Sequence, residues 1–585
     1  MSDFLDRLRS AISKDRSGQD RSPTPSDHSS PPTGATPVHP SGDSVGNSRM
    51  QRILHPDNPN GIVSRWRAVL IGILAAGLGM AIGHLVASFK RASASPVLAV
   101  GEAVIDRTPT GLKDFAIKQF GTNDKLVLLL SVSAGALILA GLAGLLARKI
   151  FLAGLGLELF LVAIAGYAAM TRPAAVGSDI VPTLATAVVG VITLFGLFWL
   201  SGDAYTRNLV DRVRTRSRPA DGRQPALAST RRVFLVGSGA VAALAVASGV
   251  VGQKLGAVTS TVKLALPSAK KKAPQIPVGL TAKYPEITPL RTPNDKFYRV
   301  DTSLTVPNIN RDEWRLEIGG DVDKKLTLSY DDISKMDLIE RNISLTCISN
   351  EPGGSYAGGA TWLGVRVKDL LDMAGIKDPQ KKGRQLFSES SEGFSISTPL
   401  SAMLDDRDAL LAIGMNGKAL PRAHGFPARL VTPGLYGMLG CTKWVTRLTV
   451  TDYDQKTAYW TKRGWTKDGP IKPSARIDTP SNFGSCKKTA DGKQIIGGIA
   501  WAQGEGVVKV QVSIDEGPWK DATMGPDVNV DYWRQWVYLW DTKAKGQHQV
   551  RARIVYGKDS LQSTTRKDVF PNGSSGIVNL FFSVD

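Results

Sequence analysis

The stretch RNISLTCISNEPGG, Arg341–Gly354, sets a single cysteine, Cys347, between a β-prone run and a glycine-rich turn. That placement predicts a thiol exposed at the rim of a fold, where a strand ends. The chain of 585 residues has 3 cysteines, Cys347, Cys441 and Cys486, too few for a disulfide framework. Three readings of Cys347 stand open: a buried core thiol, a disulfide with Cys441 or Cys486, or a thiolate metal ligand. Zinc fits poorly, because the chain beyond residue 253 has only His424 and His548 and no Cys-x-x-Cys pair. Nor does a nearby His–Asn arrangement announce a cysteine hydrolase.

Outward from Cys347, the chain is too long for one ordinary domain. Its formal charge of +20 would suggest nucleic-acid binding if it were spread over a soluble surface. Much of the excess instead flanks long apolar runs, without the interleaved aromatics that stack single strands, so no nucleic-acid partner is expected. Residues 1–62, rich in Ser, Pro, Gly and Asp, bury too little apolar surface to fold and are expected to form a disordered cytoplasmic tail. MSDFLDRLRSAI at its start has the pattern of a short amphipathic surface helix, or of a frayed terminus.

Five runs follow, Ala68–Ser88, Leu126–Ala147, Ile150–Met170, Ile180–Ser201 and Val233–Gly252, each with about the 20 residues a helix needs to cross a bilayer core. Region 63–253 therefore reads as a five-helix transmembrane anchor. Arg148 and Lys149 alone separate the second and third runs, which predicts a tight helical hairpin. Arg65 and Arg67, Arg148 and Lys149, and the eight arginines of the loop before the fifth run share one side if the N-terminus is cytoplasmic. The mildly basic loop around Lys90–Lys125 faces the other way. Everything past residue 253 then lies outside the cytoplasm, on a multi-pass protein of a bacterial cell membrane. STRRVFLVGSGAVAALAVASG, Ser229–Gly249, resembles a twin-arginine export signal, with Arg231 and Arg232 before a weakly apolar stretch. Such a route suits a domain that folds around a cofactor before export. Glu158, in the third run, is a functional candidate or a hydrogen-bonded bundle residue. His84 is the only histidine in any run, so a bis-histidine haem is not expected.

A Lys/Pro-rich linker, 254–285, contains LPSAKKKAPQIP. Residues 286–470 mix short β-type runs with helical patterns such as YDDISKM and LLDMAGI. Residues 471–585 alternate apolar and polar positions between turns, the mark of a β-sandwich.

SLTCISN, then PRAHGFPARLVTPGLYGMLGCTKW, then GGIAWAQGEGVVKVQVSIDEGPW look, in this order, like the sulfite oxidase family of molybdenum enzymes. The similarity runs from about Asn294 to Asp585; the apolar runs lie outside it. It implies an α+β molybdopterin domain followed by an immunoglobulin-like sandwich that often mediates dimers, so a homodimer is an expected partner. It also implies one protein thiolate on molybdenum, the place of Cys347, a soft ligand suited to a metal already held by a pterin dithiolene. By the same resemblance His424 and Arg429 contact the pterin and its phosphate. Cys441, Thr442 and Lys443 add donors and a charge, Asn294, Tyr298 and Arg299 form a first cofactor loop, and Ser390 is a weaker match. The implied activity is two-electron oxygen-atom transfer, with electrons passing through a separate carrier, a quinone or a redox protein.

Departures from the pattern bear on the substrate. A family arginine follows the asparagine of the cysteine motif, where this chain has Glu351. Aligning YWTKRGW puts Trp465 at the family's catalytic tyrosine, and GEGVVKV offers Glu505 and Val507 in place of a pocket arginine. Arg299 is kept. A carboxylate repels a sulfite dianion, so a small neutral or cationic S- or N-oxide is the expected substrate, with Cys347, Arg299, Glu351 and Trp465 around it. Sulfite oxidation and a non-catalytic membrane-anchored scaffold are the alternatives.

Overall fold

The structure, a computed structural model, describes residues 63–585 except 90, 110, 111, 113–118, 121–123, 173, 174, 204, 205, 207, 208, 211–229 and 258–263. The expected cytoplasmic tail, most of the arginine-rich loop and the side chain of Arg231 lie outside the described residues.

Helices α1 (Arg65–Ser88), α2 (Pro96–Arg107), α3 (Asp124–Ala147), α4 (Phe151–Met170), α5 (Val181–Leu200) and α6 (Thr230–Ala257) come first. All but α2 contain a segment long and apolar enough to cross a membrane. The five apolar runs have no proline beyond a first turn, where Pro182 sits in α5, and their ends fall within a few residues of those expected. Arg148 and Lys149 make the expected short turn between α3 and α4. Helix α1 packs against α3, α5 and α6. Glu158 is buried where α4 meets α5; a Cβ on Gly190 would lie 2.8 Å from its Oε1, so the missing side chain there leaves room for the carboxylate.

Helix α2 was not expected. Pro96 occupies its first turn, a position that costs no helical hydrogen bond. Its buried face, with Leu98 and Ala99, packs against α4 near Ala168 and Ala169. Its charges, Glu102, Asp106 and Arg107, disguise that face in a hydropathy scan.

The segment expected as a linker is laid along the next domain in its described part. Lys270 N donates to Leu338 O at 2.8 Å and Glu340 N to Lys271 O at 2.8 Å, while Ile276 and Tyr284 are buried.

Ten strands follow: β1 (Arg315–Gly320), β2 (Leu326–Ser329), β3 (Ile339–Thr346), β4 (Ala357–Arg366), β5 (Arg384–Ser390), β6 (Ser395–Pro399), β7 (Leu410–Met415), β8 (Lys418–Ala419), β9 (Arg429–Val431) and β10 (Val445–Asp452). They form one sheet in the order β2-β1-β10-β5-β6 and another in the order β3-β4-β7-β8, with β9 on β7. The pair β1–β10 is parallel and the others are antiparallel. Short helices Tyr330–Ser334 and Val367–Ala374 sit where YDDISKM and LLDMAGI predict them. Ser329 caps the first by accepting from Asp332 N. This is an α+β arrangement.

The C-terminal part has β11 (Ser474–Thr479), β12 (Gln494–Trp501), β13 (Val507–Ile514), β14 (Lys520–Asp521), β15 (Thr523–Met524), β16 (Arg534–Trp540), β17 (Gly546–Tyr556), β18 (Ser560–Leu561) and β19 (Val578–Val584). Two antiparallel sheets, β11-β12-β16-β15 and β14-β13-β17-β18 with β19 on β17, share one core containing Ile496, Trp536, Val512, Ile554 and Phe582. Inward-facing residues alternate with exposed ones along β19, so one face of that strand meets the core.

Candidate functional site

Cys347 follows directly on β3, whose last five residues are buried on both faces, and the β3–β4 pairing closes at Thr346–Ala357. Cys347 N donates to Tyr356 O at 3.0 Å, and Asn350 N donates to Cys347 O at 3.1 Å. Asn350 Oδ1 accepts from Tyr356 N at 2.8 Å, which fixes the turn. Contrary to the sequence expectation of an exposed thiol, Cys347 is only 9% accessible. The turn folds back under the C-terminal sheets, where Ser574 Oγ donates to Asn350 O at 2.6 Å. Its Sγ lies 2.9 Å from Ser349 Oγ. All three cysteines are free and buried, so the disulfide reading falls away.

Around Cys347 the structure gathers Tyr298, His424, Arg429, Cys441 and Lys443. Tyr298 stacks on Phe297 at 5.3 Å and lies partly buried next to Gly437. Burial, with the sulfurs of Cys347 and Cys441, raises its phenol well above the ordinary range. His424 Nε2 donates to the Asn294 carbonyl at 2.9 Å, so the ring carries its proton there. Burial and the Arg429 charge push the imidazole down to about 4, and it is neutral at pH 7. Gly425, at φ +112, turns the chain beneath it; a Cβ would meet Arg429 Cβ at 2.9 Å.

Arg429 is buried, with its guanidinium 5.1 Å from the Trp362 ring centroid. It donates to the carbonyls of His424 (3.1 Å) and Leu430 (3.3 Å). Among the described residues no carboxylate pairs with it within salt-bridge distance. A buried cation without a counter-ion is costly, and it marks a place for an anion. Lys443 Nζ lies 2.7 Å from Asp301 Oδ2 in a pair almost closed to solvent. Burial lowers the Lys443 ammonium to about 8, opposed by Asp301. Burial also tends to raise Asp301, but Lys443, Lys125 and Arg299 together hold its carboxyl well below the usual range.

The remaining candidates behave differently. Asn294 is fully engaged as a brace: Asn416 Nδ2 donates to its Oδ1 at 2.7 Å, and its own Nδ2 donates to Met415 O. Arg299 is half-exposed and turned to Asp301 (2.7 Å). Thr442 Oγ1 is 2.6 Å from Ser388 Oγ. Ser390 Oγ accepts from the backbone of Glu392 and Phe394, capping a turn. Glu351 and Trp465 lie on another side. Glu351 is exposed, 3.6 Å from Arg566, and lines a narrow cleft with Asn350, Tyr436, Lys472 and Ser574. Lys472 and Lys567 line the adjoining cleft. The Glu351 carboxylate is thus set among cations. Trp465 packs edge-on between Trp460 (6.1 Å) and Phe570 (5.2 Å) and against the cluster holding Ile348 and Tyr436.

Sequence reading missed Asp301, Lys125 and Tyr436. Tyr436 stood in plain view in the block TPGLYGMLG, and its hydroxyl accepts from Lys472 N at 3.2 Å. Burial, against that hydrogen bond and with the Cys347 sulfur nearby, pushes its phenol up to about 12. The cleft is therefore lined by a phenol, that of Tyr436, at a place apart from Trp465.

A molybdenum pterin fits this donor set. Among the described residues no three His, Cys, Asp or Glu converge as metal ligands. Cys347 offers one sulfur, and Arg429, Lys443 and Arg299 offer charge for a phosphate.

Residues 303–460 match the family described as oxidoreductase molybdopterin binding domain. Mitochondrial sulfite oxidase of Rattus norvegicus is 29% identical over 294 residues, 43% of this chain and 53% of that protein. That of Drosophila melanogaster is 32% identical over 280 residues, 41% of this chain and 47% of the relative. The NADH nitrate reductase of Volvox carteri is 31% identical over 208 residues, 31% of this chain and 23% of the relative. The chain spans about half the length of the sulfite oxidases it matches. The solved sulfane dehydrogenase SoxCD of Paracoccus pantotrophus aligns with a TM-score of 0.42 and 23% identity, covering 50% of this chain and 80% of that one. Residues 303–460 thus carry a molybdopterin-binding oxidoreductase domain, in a part of the chain that is similar to sulfite oxidases.

Proposed function

We propose that this chain is a molybdenum-cofactor oxidoreductase, anchored in a bacterial cell membrane by five helices, with its catalytic part outside the cytoplasm. One observation carries it: a buried Cys347 thiol facing the Lys443 charge, in a pocket where Arg429, buried against the Cys441 sulfur, has no carboxylate partner among the described residues. When bound, the molybdenum pterin supplies two-electron oxygen-atom transfer. Cys347 would hold the metal as its protein thiolate, while Arg429 and Lys443 hold the phosphate end and neutral His424 orients the Asn294 loop. Tyr436 keeps its hydroxyl proton at neutral pH, available to a substrate oxygen in the cleft.

The domain division that suits this reading is 286–470 for the cofactor and 471–585 as an immunoglobulin-like sandwich, which offers a dimer surface. Electrons would pass to or from a quinone or a redox protein. For the substrate, Lys472 and Lys567 in the clefts and Arg566 beside Glu351 favour a small anionic oxo compound such as sulfite. A neutral S- or N-oxide is the second reading, supported by the exposed Glu351 and the Trp460–Trp465–Phe570 wall. Turnover with sulfite and an artificial acceptor, set against a panel of S- and N-oxides with an artificial donor, separates the two. Molybdenum in the wild type and no turnover in Cys347→Ser are expected; wild-type protein purified without molybdenum refutes the enzyme.

A further inference from the structure

The apolar helices reach the candidate cofactor pocket directly. Lys125, in the first turn of α3, donates through Nζ to Asp301 O and Ser303 O, both at 2.9 Å, and lies 3.3 Å from Asp301 Oδ1. Asp301 in turn holds Lys443 and Arg299, each at 2.7 Å. One nearly closed carboxylate thus serves three cations, leaving a local excess of positive charge beside Arg429. The loop is wedged from the same side by α2, where a Cβ on Gly101 would meet Leu304 at 3.1 Å and Leu129 at 3.3 Å. A second tie runs to the strand-end turn that follows Ser390: Arg91 donates to Ser391 O at 3.2 Å. A third links Tyr459 and Arg463 to Asp106 of α2 (2.9 and 3.0 Å) without touching either pocket loop.

We propose that Lys125 is a positioning residue for the cofactor phosphate: the helical region closes the pocket by fixing the Asp301 loop and, through Asp301, the Lys443 ammonium. This rests on the functional reading above. The helices are then a working part of the cofactor cage besides being an anchor. Lys125 acts through Asp301 in two ways. It fixes two backbone carbonyls, and it shares the carboxylate that would otherwise neutralise Lys443 more completely, leaving that ammonium freer to meet an anion.

The test uses full-length holoprotein in detergent. Molybdenum per chain is measured before and after dialysis at raised salt, and melting temperatures are compared with and without cofactor. Lys125→Met is expected to lose molybdenum on the order of 10-fold faster than wild type. Lys125→Arg, which keeps the charge and donors, should restore retention. Arg463→Met loosens the same interface away from the pocket and should retain molybdenum like the wild type. The melting gain given by the cofactor should shrink in Lys125→Met, whereas a merely structural clamp would lower apo and holo melting equally. Retention unchanged in Lys125→Met, or lost equally in Arg463→Met, overturns the inference. Wild type without molybdenum overturns the functional reading beneath it.

Discussion

The Arg429 guanidinium sits over the Trp362 ring, 5.1 Å from its centroid, and is almost closed to solvent. Its hydrogen bonds go to two carbonyls and to the buried Cys441 thiol, so the ring, two backbone dipoles and a neutral sulfur carry a full charge that an anion would neutralise far better. Arg429→Met should therefore leave the apo-protein no less stable, because an uncompensated charge is removed, while cofactor content falls at least ~10-fold. Calorimetry of the apo-protein beside molybdenum analysis checks both halves.

Lys443 gives a pH dependence. Its folded-state pKa of about 8 lies below the ordinary lysine value. In the apo-protein the unfolded chain binds this proton more tightly, so the group's stability penalty applies below pH 8 and fades as pH rises from there toward the ordinary value. Affinity for an anionic cofactor moves the other way, because the ammonium is lost as pH rises through 8. Asp301, held below the usual carboxylate range, contributes stability that is present at neutral pH and lost on acidification. Cofactor dissociation measured from pH 7 to 9 should accelerate in the wild type and flatten in Lys443→Arg.

Cys347 without metal is a buried thiol whose pKa burial raises, opposed by Ser349. Alkylation of the apo-protein near neutral pH should be slower than that of a free cysteine by an order of magnitude or more. Mass spectrometry of the labelled peptide measures it.

Substrate charge is tested at the clefts. Lys472→Met and Lys567→Met should each raise KM for sulfite by roughly 5- to 10-fold and leave a neutral sulfoxide little changed. Glu351→Gln should have a small effect, since Arg566 already faces that carboxylate.

Gly425 takes φ +112 with Arg429 Cβ pressed against it. Gly425→Ala should cost about 1–3 kcal/mol of stability, read from chemical denaturation of the apo-protein.

The apolar runs were legible because length and composition alone decide whether a helix can lie in lipid, and the helix ends fell close to those expected. The loop bearing Cys347 was legible too, as a β-run followed by glycines. Its burial was not, because the cover comes from Ser574 and its neighbours more than two hundred residues later. Asp301 looked like one more loop acid; its importance arises only when Lys125 and Lys443 close on it from distant parts of the chain. Helix α2 escaped because its apolar face is short and mixed with charge, and the strap beyond residue 263 because Lys/Pro-rich composition reads as a linker whether or not a sheet edge accepts it. The surroundings of Glu351 were not legible either: Arg566, Lys472 and Lys567 line the same region only through the fold of the C-terminal part.

The sulfur of Cys347 is the point on which the account stands. X-ray absorption at the molybdenum edge should find one sulfur scatterer fewer around the metal in Cys347→Ser than in the wild type, with pterin content retained. Identical sulfur shells in the two proteins would contradict the assignment of Cys347 as the metal's protein ligand.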